Sequence, residues 1–163
     1  MTNPAFEVDA KGLQEILGAV PTWRHALELV ANVFDEYKGY NDRAKPSVCR
    51  VDVTREGRKT RLLVSDDGAG FEYVEDIWTF FGTTGKRHTA EVSGRFNAGD
   101  KQLFAIATEA SIHTGMHQVL FHNGIRTHKK FRSEDKYTQG TRISALLSIT
   151  KDEHELLVDM LGR

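Results

Sequence analysis

Two stretches of the chain alternate apolar and polar residues with period two. Residues 47–54, SVCRVDVT, and residues 60–65, TRLLVS, flank a turn at EGRK and predict a β-hairpin. Farther on, ASIHTG, HQVLFHNG, IRTHKKFR and TRISALLSI read as strands of an antiparallel meander. Helical spacing occupies the rest. Residues 9–20 predict a short helix ending before Pro21, and Thr22 caps a second helix running to about Tyr37. Residues 72–81, EYVEDIWTFF, predict a short helix, and another runs from near Lys101 to about Thr108. Residues 151–161 form a last amphipathic helix with Leu156, Leu157, Met160 and Leu161 facing inward. Helices combined with mainly hairpin-linked strands imply an α+β fold, a mainly antiparallel sheet with helices on one face.

Composition narrows the class without naming a function. The 163 residues suffice for one domain, 39% of them are apolar, and the net charge is −1. Such a balance lacks the overall positive charge of a nucleic-acid binder, while leaving room for a local patch. A single cysteine, Cys49, rules out an intramolecular disulfide framework and a Cys-rich metal site. Its place in an alternating run predicts a small core residue. No apolar run approaches the roughly 20 residues of a membrane span. The start, MTNPAFEVDAKGL, lacks the basic and apolar regions of a secretory leader, so the expected location is the cytoplasm, with no membrane partner.

Candidate chemistry appears first on the helix TWRHALELVANVFDEY. Trp23, Leu27, Val30, Ala31 and Phe34 form an apolar stripe at helical spacing. Glu28, Asn32 and Asp35 stand at i, i+4 and i+7 beside it. Two carboxylates and an amide oxygen at a core edge suit a hard cation and a water that needs a base. The same pattern, taken alone, is the solvated flank of many helices.

The strand ending LLVSDDGAGF places Asp66 before Gly68 and Gly70. A carboxylate there can accept from an exocyclic amine, and bare glycines let a flat ligand approach backbone. An acidic turn has the same composition. Asp67 is read as a solvent-facing turn residue. In residues 82–100 four glycines and little periodicity mark a loop long enough to be functional or mobile. Its end, SGRFNAGDK, sets Gly94 and Gly99 before a helix whose exposed amides attract phosphate. Finally, Gly140-Thr141 opens a strand and can place a hydroxyl in a pocket.

In this order and spacing, E-x-x-x-N-x-x-D, D-x-G-x-G, the glycine-rich lid and the Gly-Thr strand resemble the GHKL ATPase superfamily with its Bergerat ATP-binding fold. That superfamily includes gyrase B subunits, heat-shock chaperone ATPases, MutL and MORC proteins and histidine kinases. The resemblance covers about residues 20–150, the core of a single domain over 1–163. It implies a two-layer sandwich with ATP between the sheet and a mobile lid. By this resemblance Glu28 is the general base, Asn32 binds Mg²⁺, and Asp35 supports the nucleotide from the same helix. Asp66 takes the adenine amine, Gly68 and Gly70 make room for the base, and Thr141 helps fix it. Gly94, Asn97, Gly99 and Lys101 fall where lid and helix hold the phosphates. Asn97 stands where glycine is frequent, and Asn tolerates positive φ next best. Asp100 puts an acid where phosphates approach.

The resemblance also implies slow hydrolysis, with nucleotide state driving homodimerisation or a conformational change. A downstream transducer domain normally supplies a lysine to the γ-phosphate; the chain ends at Arg163, so an excised domain or a stand-alone module is expected. Two other readings stay open: a kinase-type domain phosphorylating a protein, and a regulatory module that binds ATP or ADP with negligible hydrolysis. Glu28 four residues before Asn32 favours hydrolysis over the kinase. A Walker A reading of Gly85-Lys86 fails, because Phe80 holds the first glycine's position and Arg87 that of Ser or Thr. His113 and His117 do not share a helix face, which counts against zinc. RTHKKFR, residues 126–132, is either a local nucleic-acid contact or, more commonly for such a segment, a charged edge that blocks aggregation.

Overall fold

The structure, a computed structural model, describes residues 10–37, 46–78 and 99–162. Among the described residues four α-helices, α1 (Ala10–Gly18), α2 (Thr22–Tyr37), α3 (Gly99–Ile106) and α4 (Lys151–Leu161), accompany six strands. The strands are β1 (Cys49–Glu56), β2 (Lys59–Asp66), β3 (Glu109–Gly115), β4 (His117–His122), β5 (Ile125–Lys130) and β6 (Thr138–Leu147). They form one antiparallel sheet in the order β1-β2-β6-β3-β4-β5. The fold is therefore α+β. No helix among the described residues is long and apolar enough to cross a membrane.

The expected meander is interrupted. β3, β4 and β5 follow one another, but β6 returns to lie between β2 and β3. Burial explains the placement. Ile143, Ala145 and Leu147 give β6 an apolar face, which needs neighbours on both sides, whereas all six residues of β5 are exposed. A charged strand such as IRTHKK is stable at an edge and resists further pairing there.

Leu62 and Val64 of β2, Ala110 and Ile112 of β3, Val119 of β4 and the β6 residues all point to one face. Ala26 and Leu29 of α2, Leu103 and Phe104 of α3 and Leu157 of α4 complete that core. Phe104 stacks on Phe121 with centroids 5.4 Å apart. α4 starts at a capping box: Thr150 Oγ1 accepts from the Glu153 amide, and the Glu153 carboxylate accepts from the Thr150 amide at 2.8 Å. Its His154 Nδ1 lies 3.1 Å from the Oγ1 of fully buried Thr60, which also accepts from Arg55.

Several expected side-chain positions are corrected. The inward stripe of α2 is Ala26, Leu29 and Val33, not Leu27, Val30 and Phe34; Phe34 is 58% exposed, and Trp23 packs only partly against the core. Both stripes satisfy helical spacing, and the packing of α3 and α4 against α2 decides between them. In α4 only Leu157 is buried, Met160 and Leu161 are half-buried, and Leu156 faces solvent. Cys49 is exposed, because it opens an edge strand beyond the cover of the helices. In the described part of residues 72–81 the helical element is one 3₁₀ turn, Val74–Ile77, with Ile77 buried and Val74 and Trp78 packed partly against the core.

Candidate functional site

The sheet brings Asp66, the last residue of β2, opposite Thr141 of β6, and Thr141 opposite Thr114 of β3. Directly paired residues share a face, and the alternation from Leu62, Val64 and Ile143 puts all three on the side that carries the helices. Asp66 is half-buried, and Thr114 and Thr141 are buried.

Two glycines make this cluster possible. Gly140 has φ +67°, and a Cβ there would overlap the Asp66 carbonyl and stand 2.6 Å from Asp66 Oδ1. Gly70 has φ +73°, and its Cβ would overlap Thr114 Oγ1 and stand 2.7 Å from the Gly140 carbonyl oxygen. The bare loop after β2 thus lies directly on the ends of β3 and β6. Thr114 Oγ1 donates to the Gly140 carbonyl at 3.0 Å and accepts from the Phe71 amide at 3.1 Å. Gln139 donates to the carbonyls of Asp67 and Gly68 at 3.2 and 2.8 Å. Gly70 therefore has a packing reason for being bare, whatever else approaches it.

The Asp66 carboxylate accepts from the Gly68 amide at 2.9 Å and from the Thr141 amide. Burial nevertheless raises its pKa above the usual aspartate value; the two amides pull the other way, and the charge of Asp67 adds to the rise. A carboxylate offers about four lone-pair sites. Two amides leave acceptor capacity for another donor. The Thr141 hydroxyl makes no hydrogen bond among the described residues, although the residue is only 7% exposed. Buried hydroxyls ordinarily have partners, and this one keeps its donor and acceptor capacity among the described residues.

Asp67, expected as a solvent-facing turn residue, also makes a cluster of hydrogen bonds. Its carboxylate accepts from the Ser47 hydroxyl, from the Ser47 amide at 2.7 Å and from the Val48 amide at 2.9 Å. These donors, the Ser47 hydroxyl first, lower its pKa to about 2. It clamps the entry of β1 to the loop after β2. A carboxyl depressed in the folded state stabilises above its unfolded value and loses that effect as pH falls through the folded value. Asp67→Asn is expected to lower the urea midpoint at neutral pH. The gap between parent and variant should close as pH drops from about 3.8 to about 2. Unfolding curves collected across that window check it; a gap independent of pH would show that the charge is not what holds β1.

On α2, Glu28 is exposed and Asn32 half-buried. They follow His25 at i+3 and i+7, so the three form one row. Buried His25 meets Gln102 of α3 through Nδ1 at 3.2 Å, and its Nε2 donates to the Leu17 carbonyl of α1 at 2.9 Å. The row accordingly runs along the α2–α3 seam. Lys101, in the first turn of α3, is 2% exposed. Gly99 opens α3. The Asp35 side chain, Gly94 and Asn97 lie outside the described residues, as do Lys86, Arg87 and the rest of the expected lid.

Two groups of expected residues thus occur on the helix-bearing side of the sheet. One is Asp66, Gly68, Gly70 and Thr141 at a strand end; the other is Glu28 and Asn32 on α2, the helix that packs on β2 and α3. Thr114, Gln139 and His25 escaped the sequence reading. Gly140 was read as the glycine that opens the strand with Thr141, without its close approach to Asp66; the other three are ordinary residues until the register aligns them. No group of three or more His, Cys, Asp or Glu that could hold a metal exists among the described residues. His113 pairs with Gln118, and His117 with His128. No protein-family model matches the chain, and no curated protein matches it significantly.

Proposed function

We propose that the chain is a Mg²⁺-dependent ATP-binding domain that hydrolyses ATP slowly, built on the Bergerat plan of the GHKL superfamily. One observation carries the reading. Asp66, a half-buried acceptor with capacity to spare, stands in register with Thr141, a buried hydroxyl without a partner among the described residues. Adenine presents an amine to such an acceptor, where guanine presents a carbonyl. The mismatched base sets its carbonyl against the carboxylate, acceptor to acceptor, and forfeits the hydrogen bond that adenine makes there.

The donor set suits a magnesium nucleotide. Magnesium keeps several waters and prefers phosphate oxygens to an all-protein cage. The Asn32 amide oxygen would hold it from α2, and the bound ion would neutralise charge on the phosphates. Lys101 and the start of α3 supply positive charge and amides to the phosphate end. Glu28 is exposed on the same row as Asn32, within reach of water, and orients or deprotonates the attacking molecule. Nucleotide state then drives dimerisation or a conformational change of a larger assembly, with a separate transducer domain completing the γ-phosphate contacts.

Titration calorimetry with ATP, ADP and GTP tests the binding. ATP and ADP are expected to bind and GTP to bind far more weakly; equal affinities would remove the adenine assignment. Glu28→Ala is expected to bind ATP like the parent and lose about a hundredfold or more in turnover, the usual share of a general base. Parent-like hydrolysis by that variant would place the base elsewhere. Turnover at tens per second by the monomeric chain would contradict the need for a transducer.

A further inference from the structure

The opposite face of the sheet carries no described helix, and its register assembles a feature that no stretch of sequence displays. Arg50 pairs with Ser65, Ser65 with Arg142, Arg142 with His113, His113 with Gln118, and Gln118 with Lys129. These six residues form one transverse row, one from each strand, on the face away from the core. At about 4.8 Å between strands the row spans roughly 24 Å. Every member can donate a hydrogen bond, and none is an acid. Arg50, Arg142 and Lys129 are exposed, and none has a salt bridge among the described residues.

One acid of this face, Asp52, lines the hollow beside the row, and Glu56 and Glu109 lie away from the row. Asp52 sits one pleat below it, while Glu56 and Glu109 are farther along and flank Arg61, with Glu56 at 2.7 Å from its Nε and Glu109 at 3.9 Å from Nη1. A concavity of about 550 Å³ opens beside Arg142 and His113, floored by Ser111 and Ser144. Tyr137, 54% exposed, stands on its rim. A chain of net charge −1 has thus gathered into a line neutral donors and cations without a salt bridge among the described residues, Lys129 resting 4.9 Å from the centre of the Phe131 ring, with the Tyr137 ring at a hollow next to it.

We propose that this open sheet face binds single-stranded nucleic acid. The row holds successive phosphates, and Tyr137 stacks on a base turned into the concavity. A line of cations answers a regularly charged polymer better than a single small anion, which one arginine would satisfy. The ring adds what an acidic peptide would not use, and a sheet face with one aromatic platform fits unpaired bases rather than a closed duplex. The site lies on the face opposite Asp66 and Thr141, so it stands or falls separately from the nucleotide reading.

Fluorescence anisotropy with a labelled 15-nucleotide single strand tests the proposal. Binding to the intact chain is expected to weaken linearly in log–log form with salt. Three phosphate contacts give a slope of about −2, and Arg50→Gln, Arg142→Gln and Lys129→Gln should each flatten it by about 0.7. Tyr137→Ala is expected to weaken binding about 5- to 100-fold with the slope unchanged. Lys59→Gln and Lys151→Gln, cations off the row, should change nothing, and circular dichroism should show all six variants folded. No binding at low salt overturns the proposal. So does equal loss from the off-row variants, equal affinity for duplex, or equal affinity for polyglutamate with indifference to Tyr137→Ala.

Discussion

Replacing Asp66 with asparagine is expected to lower ATP affinity about ten- to hundredfold while leaving the fold intact. The carboxylate and amide have nearly the same shape, and the remaining oxygen can still accept from the Gly68 amide. What disappears is a charged acceptor for the adenine amine, a bond worth about 1.5–3 kcal/mol. The half that becomes NH₂ also faces the ligand amine with a second donor. The apo variant should unfold at no lower temperature than the parent. Burial raises the pKa of Asp66, so its ionised form costs stability at neutral pH, and that cost is relieved as pH falls through the raised value. The same direction governs binding. Adenine affinity needs the carboxylate, so the advantage of parent over variant should decline on acidification, beginning above the ordinary aspartate value of 3.8. Calorimetric titrations of both proteins over that range measure it. Equal ATP affinities at neutral pH would show that Asp66 is only the structural end of β2.

Gly140→Ala should be strongly destabilising. A non-glycine residue in the left-handed region costs about 1–2 kcal/mol from the backbone alone. The new Cβ also overlaps the Asp66 carbonyl, a backbone group paired into the β2–β6 ladder that cannot rotate away. Overpacking of this kind adds about 1–3 kcal/mol. The total, about 2–5 kcal/mol, corresponds to a fall in melting temperature of roughly 5–15 °C for a domain of this size. Urea unfolding checks the value, and ATP titration of whatever remains folded should show weakened binding, because Asp66 must move. Gly57→Ala is the control. It has φ +60° with nothing within 4 Å of its Cβ, and should lose only the backbone part. Equal effects at the two glycines would mean that contact with Asp66 is unimportant.

Much of the α+β plan could be read from periodicity. The hairpin at Gly57-Arg58, the six strand segments and the helices at both ends were all legible, because a half-buried strand must alternate and a packed helix must repeat near every third or fourth residue. The capping box joins Thr150 to Glu153, three positions apart, and so is a local feature of the sequence as well. Chain order is another matter. Nothing local in TRISALLSI announces that β6 sits between β2 and β3. That follows only when the apolar face of Ile143, Ala145 and Leu147 competes for burial with the charged face of β5.

The residues nominated for chemistry divide in the same way. Asp66, Gly70 and Thr141 were visible as a carboxylate, a glycine and a hydroxyl at strand ends, and Glu28 and Asn32 as one helical row, since local spacing sets local direction. Which side of α2 faces inward was not visible, because two neighbouring stripes both satisfy 3.6-residue spacing and only the docking of α3 and α4 breaks the tie. Nor was the clamp made by Asp67, whose partners Ser47 and Val48 lie about twenty positions away. The row from Arg50 to Lys129 is the extreme case. Its six members come from six strands and share no sequence neighbourhood, and a one-residue slip in any pairing would turn a strand's contribution to the other face. Composition and period determine what each segment is; register, a property of the assembled sheet, determines which side chains meet.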